Sequence, residues 1–205
     1  MGLPPARPDR LAGRPGVGQI DAMQGATRNV ILIGMPGAGK STVGVLLARR
    51  LGLDFTDTDL LIQRHAGRTL QAIVDSDGDQ ALRRIEAEVL TGLRRHGHVI
   101  ATGGSAVYSE AAMQNLRRDG VIVHLHVALP VIRARVKDFA TRGIARAAGQ
   151  SLADLYRERE ALYRRHADIS VDVSHASQEE SVNAVLHALR GADALPHGSG
   201  IIPGS

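Results

Sequence analysis

Residues 29–41 read NVILIGMPGAGKS, an apolar run followed by a complete G-x-x-x-x-G-K-[ST] pattern from Gly34 to Ser41. The run predicts a buried strand, and the amphipathic stretch after it predicts a helix. Glycines at such a junction let backbone N–H groups converge on an anion, and the helix N-terminus adds a favourable field. Lys40 is one of only two lysines, the other being Lys137. This setting indicates a nucleotide site in which Lys40 reaches the β- and γ-phosphates and the Ser41 hydroxyl binds Mg²⁺.

The composition fits a single globular domain with a basic balance. The chain has 205 residues, of which 43% are hydrophobic and 22% charged, enough for one domain with a core. The formal net charge is +4, and the arginines are dispersed, which suits a small anion such as ATP and predicts no nucleic-acid partner. Aromatic residues make up only 2%, so there are few stacking platforms for single strands. Because cysteine is missing, disulfides, thiolate metal sites and a cysteine nucleophile are excluded.

The two ends of the chain differ in composition from the middle. Residues 1–27 contain several prolines, glycines and arginines and lack the apolar core of a secretory signal, so they predict a disordered leader. Residues 191–205, again rich in glycine and proline, predict an unstructured tail, which leaves a folded domain over residues 28–190. No apolar run approaches the roughly 18–20 residues that cross a bilayer. We therefore expect a cytoplasmic monomer without membrane contact.

Short β-like runs alternate with longer helical patterns through the middle of the chain. Strands are predicted at Val30–Ile33, Leu53–Thr56, Val99–Thr102, Val121–His126 and Ile169–Val173. Helices are predicted at Ser41–Leu51, Asp59–Ala66, Gln80–Arg95, Glu110–Arg118, Pro130–Val136, Leu152–His166 and Glu179–Leu189. This alternation predicts βαβ units, that is, an α/β fold with a parallel sheet covered by helices on both faces. Ligands of such sheets bind at the carboxyl ends of the strands.

Polar or glycine-rich segments follow the second and third predicted strands. Asp57 and Asp59 come after the second strand and have two possible uses: as helix N-caps, or as oxygen ligands for Mg²⁺ and partners for a hydroxyl. Gly103 and Gly104 come after the third strand and form either a simple turn or a close backbone approach to a ligand. Together with the phosphate loop, these segments predict a site at one edge of the sheet.

Ordered motifs over residues 28–190 resemble those of the shikimate kinases, small P-loop enzymes that are similar to nucleoside monophosphate kinases. The phosphate loop is followed by Asp-Thr-Asp at residues 57–59. Residues 78–86, GDQALRRIE, are similar to the family pattern G-x-x-x-F-R-x-x-E, with leucine in place of phenylalanine. Residues 101–104, ATGG, are similar to the first four positions of A-T-G-G-G.

The resemblance continues in the C-terminal half. Arg135 and Arg142 have the seven-residue separation of the family's adenine-side and lid arginines, and residues 159–163, REALY, resemble R-x-P-L-Y. The resemblance implies a three-layer α/β/α P-loop kinase with a five-stranded parallel sheet in the order 2-3-1-4-5. It also implies a mobile lid, which we place at about residues 138–150. Lids in this chemistry exclude water from the reaction, although an ordinary surface loop is the alternative for this segment.

The resemblance implies a role for each matching residue. ATP would bind to Gly37, Ala38, Gly39, Lys40, Ser41, Thr42 and Arg135. A small carboxylate-bearing polyol would bind to Asp59, Arg83, Gly103, Gly104 and Arg159. Ser41 and Asp57 would hold Mg²⁺, the latter through water. Catalysis would depend on Lys40 at the phosphates, Asp59 at the acceptor hydroxyl and Arg142 on the developing charge.

The activity implied by the resemblance is ATP-dependent phosphorylation of the 3-hydroxyl of shikimate. Three departures from the family pattern keep a different hydroxylated carboxylic acid open as the acceptor of a related kinase. Ser105 replaces the third glycine, Leu82 replaces the phenylalanine, and residues 141–145 read TRGIA where the family has Arg-Pro-Leu-Leu. A serine at this position would narrow the acceptor pocket or change its polarity. A nucleotide-binding regulator without turnover is a third hypothesis, against which the complete set of catalytic residues argues.

Two further patterns have a plainer alternative. Arg83 and Glu86 lie three residues apart on one helical face, so they could form only a surface ion pair. His124 and His126 alternate along a predicted strand and therefore share a face, as a metal-binding pair would. Spacing supplies no third ligand, so we expect the two histidines to have a structural role.

Overall fold

The computed structural model describes residues 28–136 and 149–196 of the chain. Five strands form one sheet in which every neighbouring pair is parallel, in the order β2-β3-β1-β4-β5. The strands are β1 (Asn29–Ile33), β2 (Asp54–Asp57), β3 (His98–Ala101), β4 (Gly120–His126) and β5 (Ile169–Asp172). The predicted α/β class and the strand order are confirmed.

Eight α-helices and one short 3₁₀ helix, Ala106–Tyr108, connect the strands in the described part of the chain. The α-helices are α1 (Lys40–Leu51), α2 (Thr58–Ala66), α3 (Leu70–Asp77), α4 (Asp79–Gly92), α5 (Glu110–Arg118), α6 (Leu129–Arg135), α7 (Leu152–His166) and α8 (Gln178–Gly191). Among the described residues, none of these helices has the length and apolar character that crossing a membrane requires.

The main core forms around β1, the central strand, whose five residues are all buried. Parallel sheets are covered on both faces, which explains why this strand is a continuous apolar run rather than an alternating pattern. α1 packs against α8 and β3, whereas α5 packs against α4 and β4. Asn29 joins the start of the strand to β3, since its side chain accepts from the His98 N–H at 3.0 Å and donates to the Arg95 carbonyl at 2.6 Å.

A second, smaller core lies between α2, α3 and α4. It consists of Ile62, Ile73, Ala81 and Leu82, each with at most 5% of its surface exposed. Leu82, which stands where the related family has phenylalanine, therefore packs among aliphatic side chains on the helices that follow β2.

Two boundaries differ from the sequence-based prediction by about three residues or more. α4 was predicted to reach Arg95 but ends at Gly92, because the Asn115 side chain on α5 donates to the carbonyls of Leu90 and Leu93 at 2.8 and 3.0 Å. The unstructured tail was predicted from residue 191, yet Ala194 belongs to the core and its N–H donates to the Leu189 carbonyl at 2.9 Å. The first six residues of the predicted tail are therefore described as part of the fold.

Three of the predicted segments fall wholly or largely outside the described residues. They are the leader at residues 1–27, the lid at residues 138–150 apart from its last two residues, and the tail beyond residue 196. Arg142, which was predicted to act from the lid, lies outside the described residues as well.

Candidate active site

The phosphate loop joins β1 to α1 through backbone conformations that favour glycine. Gly34 has φ +146°, and a Cβ there would lie 2.7 Å from the Leu125 carbonyl oxygen. Gly39 has φ +92° and is the N-cap of α1. Only glycine adopts such angles at little cost, and without side chains the loop presents its N–H groups toward an anion.

Lys40 is the first residue of α1, and its ammonium group lies back over the loop. Nζ donates to the carbonyl oxygens of Gly34 at 2.7 Å and Met35 at 3.0 Å, and the side chain is buried. Burial lowers the pKa of Lys40 to about 8, a shift that the nearby Asp59 carboxylate partly opposes. At neutral pH the group is therefore still mostly protonated and can act as a cation toward phosphate.

Of the two uses predicted for the acidic segment at the end of β2, helix capping is confirmed, and binding of Mg²⁺ stays a prediction. Asp57 caps α2, because its Oδ1 accepts from the Asp59 N–H at 2.9 Å. Its Oδ2 accepts from the Ser41 hydroxyl at 2.7 Å, which brings a hydroxyl and a carboxylate together beside the phosphate loop. Burial, and secondly the Asp57 charge, raise the pKa of Asp59 above its usual value, while Lys40 lowers it.

Two cavities meet at the phosphate loop. One has a volume of about 380 Å³ and is lined by nine of the predicted residues: Gly37, Gly39, Lys40, Ser41, Thr42, Asp59, Gly103, Gly104 and Arg159. The other has a volume of about 330 Å³ and is lined by Ala38 and Arg135 together with loop residues and the start of α8. The Arg135 guanidinium also lies 3.4 Å from the Gly37 carbonyl oxygen. These predicted nucleotide and acceptor residues thus line two adjoining cavities.

The glycines after β3 allow that segment to approach two other elements closely. A Cβ on Gly103 would lie 2.3 Å from Oε1 of Glu86, and one on Gly104 would lie 2.8 Å from an Arg159 nitrogen. The Gly103 N–H donates to the Thr58 hydroxyl at 3.1 Å. These glycines therefore allow close contacts within the protein, and their predicted approach to a ligand stays a prediction.

Ser105 and Glu86 form a buried pair at the base of the larger cavity. The Ser105 hydroxyl donates a hydrogen bond to Oε2 of Glu86. Burial raises the pKa of Glu86 to about 7, although this hydrogen bond opposes the shift. Glu86 is only 2% exposed, so the surface ion pair with Arg83 considered from the sequence is wrong.

Arg83 and Arg159 converge on an aromatic ring that sequence reasoning missed. The guanidinium carbon of Arg83 lies 3.9 Å from the centre of the Tyr108 ring, and that of Arg159 lies 5.5 Å from it. Arg159 is 1% exposed, and its Nε lies 3.4 Å from the Tyr108 hydroxyl. Tyr163, four residues along α7, donates to the Gly104 carbonyl at 2.7 Å. Tyr108 lies in the unpredicted 3₁₀ helix, where no motif indicated it.

Arg83, predicted to bind the acceptor, is not among the residues that line the larger cavity. Its guanidinium is 3.7 Å from Asp79 on the same helix. Within residues 28–136 and 149–196, two buried side-chain atoms have no hydrogen-bond partner, Nε of Arg83 and Oε1 of Glu86. Unpartnered buried polar atoms are uncommon in proteins, and both of these belong to the helix that borders the acceptor side of the cavity.

A family model described as shikimate kinase matches residues 36–190. A shikimate kinase of Geobacter sulfurreducens is 39% identical over 166 residues, which cover 80% of this chain and 91% of that protein. A shikimate kinase of Pseudomonas aeruginosa is 39% identical over 165 residues, covering 79% and 96% respectively. These similarities span the described domain.

Solved structures agree with the sequence comparison. A shikimate kinase from Acinetobacter baumannii, solved with shikimate, matches with a TM-score of 0.72 and 30% identity and covers 80% of this chain and 94% of its own. The shikimate kinase of Aquifex aeolicus matches with a TM-score of 0.69 and 32% identity, over 80% and 98% of the two chains. With its P-loop, its sheet order and these relatives, the chain belongs to the shikimate kinase family and is a small-molecule kinase.

Proposed function

We propose that this chain transfers the γ-phosphoryl group of ATP to the 3-hydroxyl of shikimate, giving shikimate 3-phosphate and ADP. The observation that carries the proposal is a single cavity that joins Lys40 of the phosphate loop to Asp59 and to the buried guanidinium of Arg159. Phosphoryl transfer requires a cation at the phosphates and a group that orients the attacking hydroxyl. A guanidinium binds a carboxylate through two parallel hydrogen bonds, which suits an acceptor acid.

On the nucleotide side, we assign Mg²⁺ to Ser41 and Asp57. Their oxygens are 2.7 Å apart, and a hydroxyl and a carboxylate are ligand types that Mg²⁺ accepts. A bound Mg²⁺ would offset the negative charge of the β- and γ-phosphates. Lys40 would turn from the loop carbonyls toward the γ-phosphate and stabilise the charge that develops there. A contribution from Arg142 stays a prediction.

On the acceptor side, Asp59 orients the attacking hydroxyl. Its raised pKa makes it a better proton acceptor than an ordinary carboxylate. The hydroxyl oxygen bonds to the γ-phosphorus as the bond to the β–γ bridging oxygen breaks, and the proton passes to Asp59. Arg159, on the wall of the cavity, binds the acceptor carboxylate, and Gly103 and Gly104 allow it to lie close to the backbone. Arg83, which shares the Tyr108 ring with Arg159, stays a prediction for the same carboxylate.

The altered glycine loop does not favour a different acceptor. From the sequence, Ser105 was expected to narrow or re-polarise the pocket, but its hydroxyl is directed to Glu86. The Ser105 hydroxyl is therefore already hydrogen-bonded within the protein. We retain shikimate as the acceptor on this ground.

The test is a coupled assay of ADP release with Mg·ATP and shikimate, run beside a control without acceptor, with the product identified by ³¹P NMR. We expect strong stimulation by shikimate. Lys40→Met should lower kcat by roughly 10²–10³-fold, because it removes a cation acting on the transferring group. Stimulation by another hydroxy acid and none by shikimate, in protein that binds ATP, would overturn the choice of acceptor.

A further inference from the structure

Three side chains with metal-ligand chemistry meet between β4 and α7, at a place that the phosphoryl-transfer site does not use. His124 and His126 alternate along β4 and share one face, as their spacing predicted. Glu160, in the middle of α7, lies against both imidazoles and is the third partner that spacing alone did not supply. Within the described chain, these residues form the one group of three or more histidine or acidic side chains whose ligand atoms all lie within 4.8 Å of one another.

The separations are close to those of a bound metal ion. Nε2 of His124 lies 3.6 Å from Oε2 of Glu160, and Nδ1 of His126 lies 3.0 Å from Oε1. Tetrahedral Zn²⁺ holds nitrogen and oxygen ligands about 2.0–2.1 Å away, so two such ligands lie roughly 3.3 Å apart. Each imidazole nitrogen lies near that distance from one carboxylate oxygen, His124 from Oε2 and His126 from Oε1. Since all three ligand atoms lie within 4.8 Å of one another, a turn of the carboxylate or of the His126 ring would bring both nitrogens and one oxygen around a single ion.

The surroundings of His124 fix the orientation of its ring. The ring stacks on Tyr163 with centres 5.2 Å apart, and its Nδ1 lies 3.5 Å from the Ser170 hydroxyl. These contacts hold Nε2 toward Glu160. An outer hydrogen-bond partner on the second ring nitrogen is the usual companion of a ligating histidine.

Arg164 competes for the carboxylate without blocking it. Its Nε donates to Oε1 of Glu160 at 2.8 Å, and its side chain is 67% exposed and so able to move. Oε2 faces His124 and remains available to an ion while Arg164 stays on the other oxygen. The His126 side chain is 22% exposed, which gives an ion a route from solvent.

We propose that His124, His126 and Glu160 bind one divalent ion of the zinc class, with water in the fourth position. Two imidazoles and one carboxylate suit Zn²⁺ or Co²⁺, whereas Mg²⁺ prefers oxygen ligands only. The ion would link β4 to α7, the helix that also carries Arg159. Its effect would therefore reach the acceptor side of the active site by fixing this helix on the sheet.

The test is calorimetric titration of the whole protein with Zn²⁺ in excess Mg²⁺, so that Mg²⁺ competes at the oxygen ligands of the phosphate loop. We expect one ion per chain. His126→Gln and Glu160→Gln should each weaken binding by roughly tenfold or more. His187→Gln is the matched control, since that histidine is exposed on α8 and lies outside the cluster; its affinity should equal that of wild type.

A second measurement keeps the test decisive if the variants fold poorly. Co²⁺ bound to the wild-type protein should shift and broaden the NMR signals of the His124 and His126 rings and leave that of His187 unchanged. Absence of saturable Zn²⁺ binding by wild type would overturn the proposal. So would an unchanged affinity in both folded variants, or paramagnetic shifts confined to other histidines. None of these readouts depends on turnover, so the proposal stands or falls separately from the choice of shikimate.

Discussion

At the scale of single residues, Ser105 stands where the A-T-G-G-G pattern of the related kinases has its third glycine, and it makes a contact that glycine could not make. A glycine at this position could not donate a side-chain hydrogen bond, whereas Ser105 donates to Glu86, which is buried and has a raised pKa. A hydrogen bond to a charged group contributes about 1.5–3 kcal/mol, and loss of a partner leaves the buried acceptor unsatisfied. The hydroxyl should therefore stabilise the loop after β3 against α4.

We expect Ser105→Ala to lower the free energy of unfolding by about 1–3 kcal/mol at neutral pH. Urea unfolding measures this change. The control is the same substitution in a Glu86→Gln background, where the charged acceptor is gone and the loss should be smaller. An equal loss in the two backgrounds would show that Ser105 acts through packing instead of through Glu86.

Arg83 provides a residue-scale test of acceptor binding. Arg83→Ala should raise the KM for shikimate, at a cost of roughly 2–4 kcal/mol in binding, because it removes one partner of a charge pair. The value of kcat at saturating acceptor should change less. Arg84→Ala is the matched control, since Arg84 is the next residue on α4 but is exposed. An acceptor KM that is unaltered by the first substitution would remove Arg83 from the site.

Residues were predictable where a motif and a strand end coincided. Lys40 and Ser41 follow β1, and Asp59 follows β2. All three line the larger cavity. Tyr108 was not predictable, because its position depends on how the 3₁₀ helix places it between two arginines from α4 and α7. Contacts of that kind join distant segments, and no local pattern records them.

At the scale of elements, the strands were predicted to within about a residue, and β1, β3 and β4 were found as short, mainly apolar runs. α3 was missed, since its sequence, LQAIVDSD, is short and rich in residues that favour caps and turns. It forms because Ile73 packs against Ile62 and Leu82 of the neighbouring helices. The end of α4 was missed for a similar reason, since the Asn115 side chain that binds the carbonyls at this end belongs to another helix, α5. Tertiary contacts thus decided both cases.

The packing of α1 on β2 provides a prediction about elements. A Cβ on Gly44 would lie 2.6 Å from the Phe55 ring, so the helix and the strand depend on a glycine at this contact. Gly44→Ala should destabilise the fold by about 1–3 kcal/mol through overpacking. Gly92→Ala, in the last turn of α4, meets open space and should leave stability unchanged or raise it by about 0.4–1 kcal/mol. Urea midpoints measure both; similar effects of the two substitutions would contradict the packing argument.

At the scale of the whole molecule, three buried groups, Glu86, His124 and Lys40, make the free energy of unfolding change with pH in different directions and ranges. The pKa of Glu86 is raised from 4.5 to about 7, so the folded state binds the extra proton between these values and stability falls as pH rises through them. The pKa of His124 is lowered from 6.5 to about 4, so its contribution rises with pH across that range. The pKa of Lys40 is lowered from 10.5 to about 8, so its contribution rises above pH 8. Below about pH 6.5 the first two effects oppose each other.

Glu86→Gln separates these contributions, because it removes one of the three titrations and leaves the others. The stability of the variant relative to wild type should increase between pH 4.5 and 7, by on the order of 3 kcal/mol, and then level off. Urea unfolding at intervals from pH 4.5 to 8 measures the difference. Glu88→Gln, an exposed change on the same helix, is the control and should follow the wild-type curve. A difference that stays constant with pH would mean that burial does not raise the pKa of Glu86.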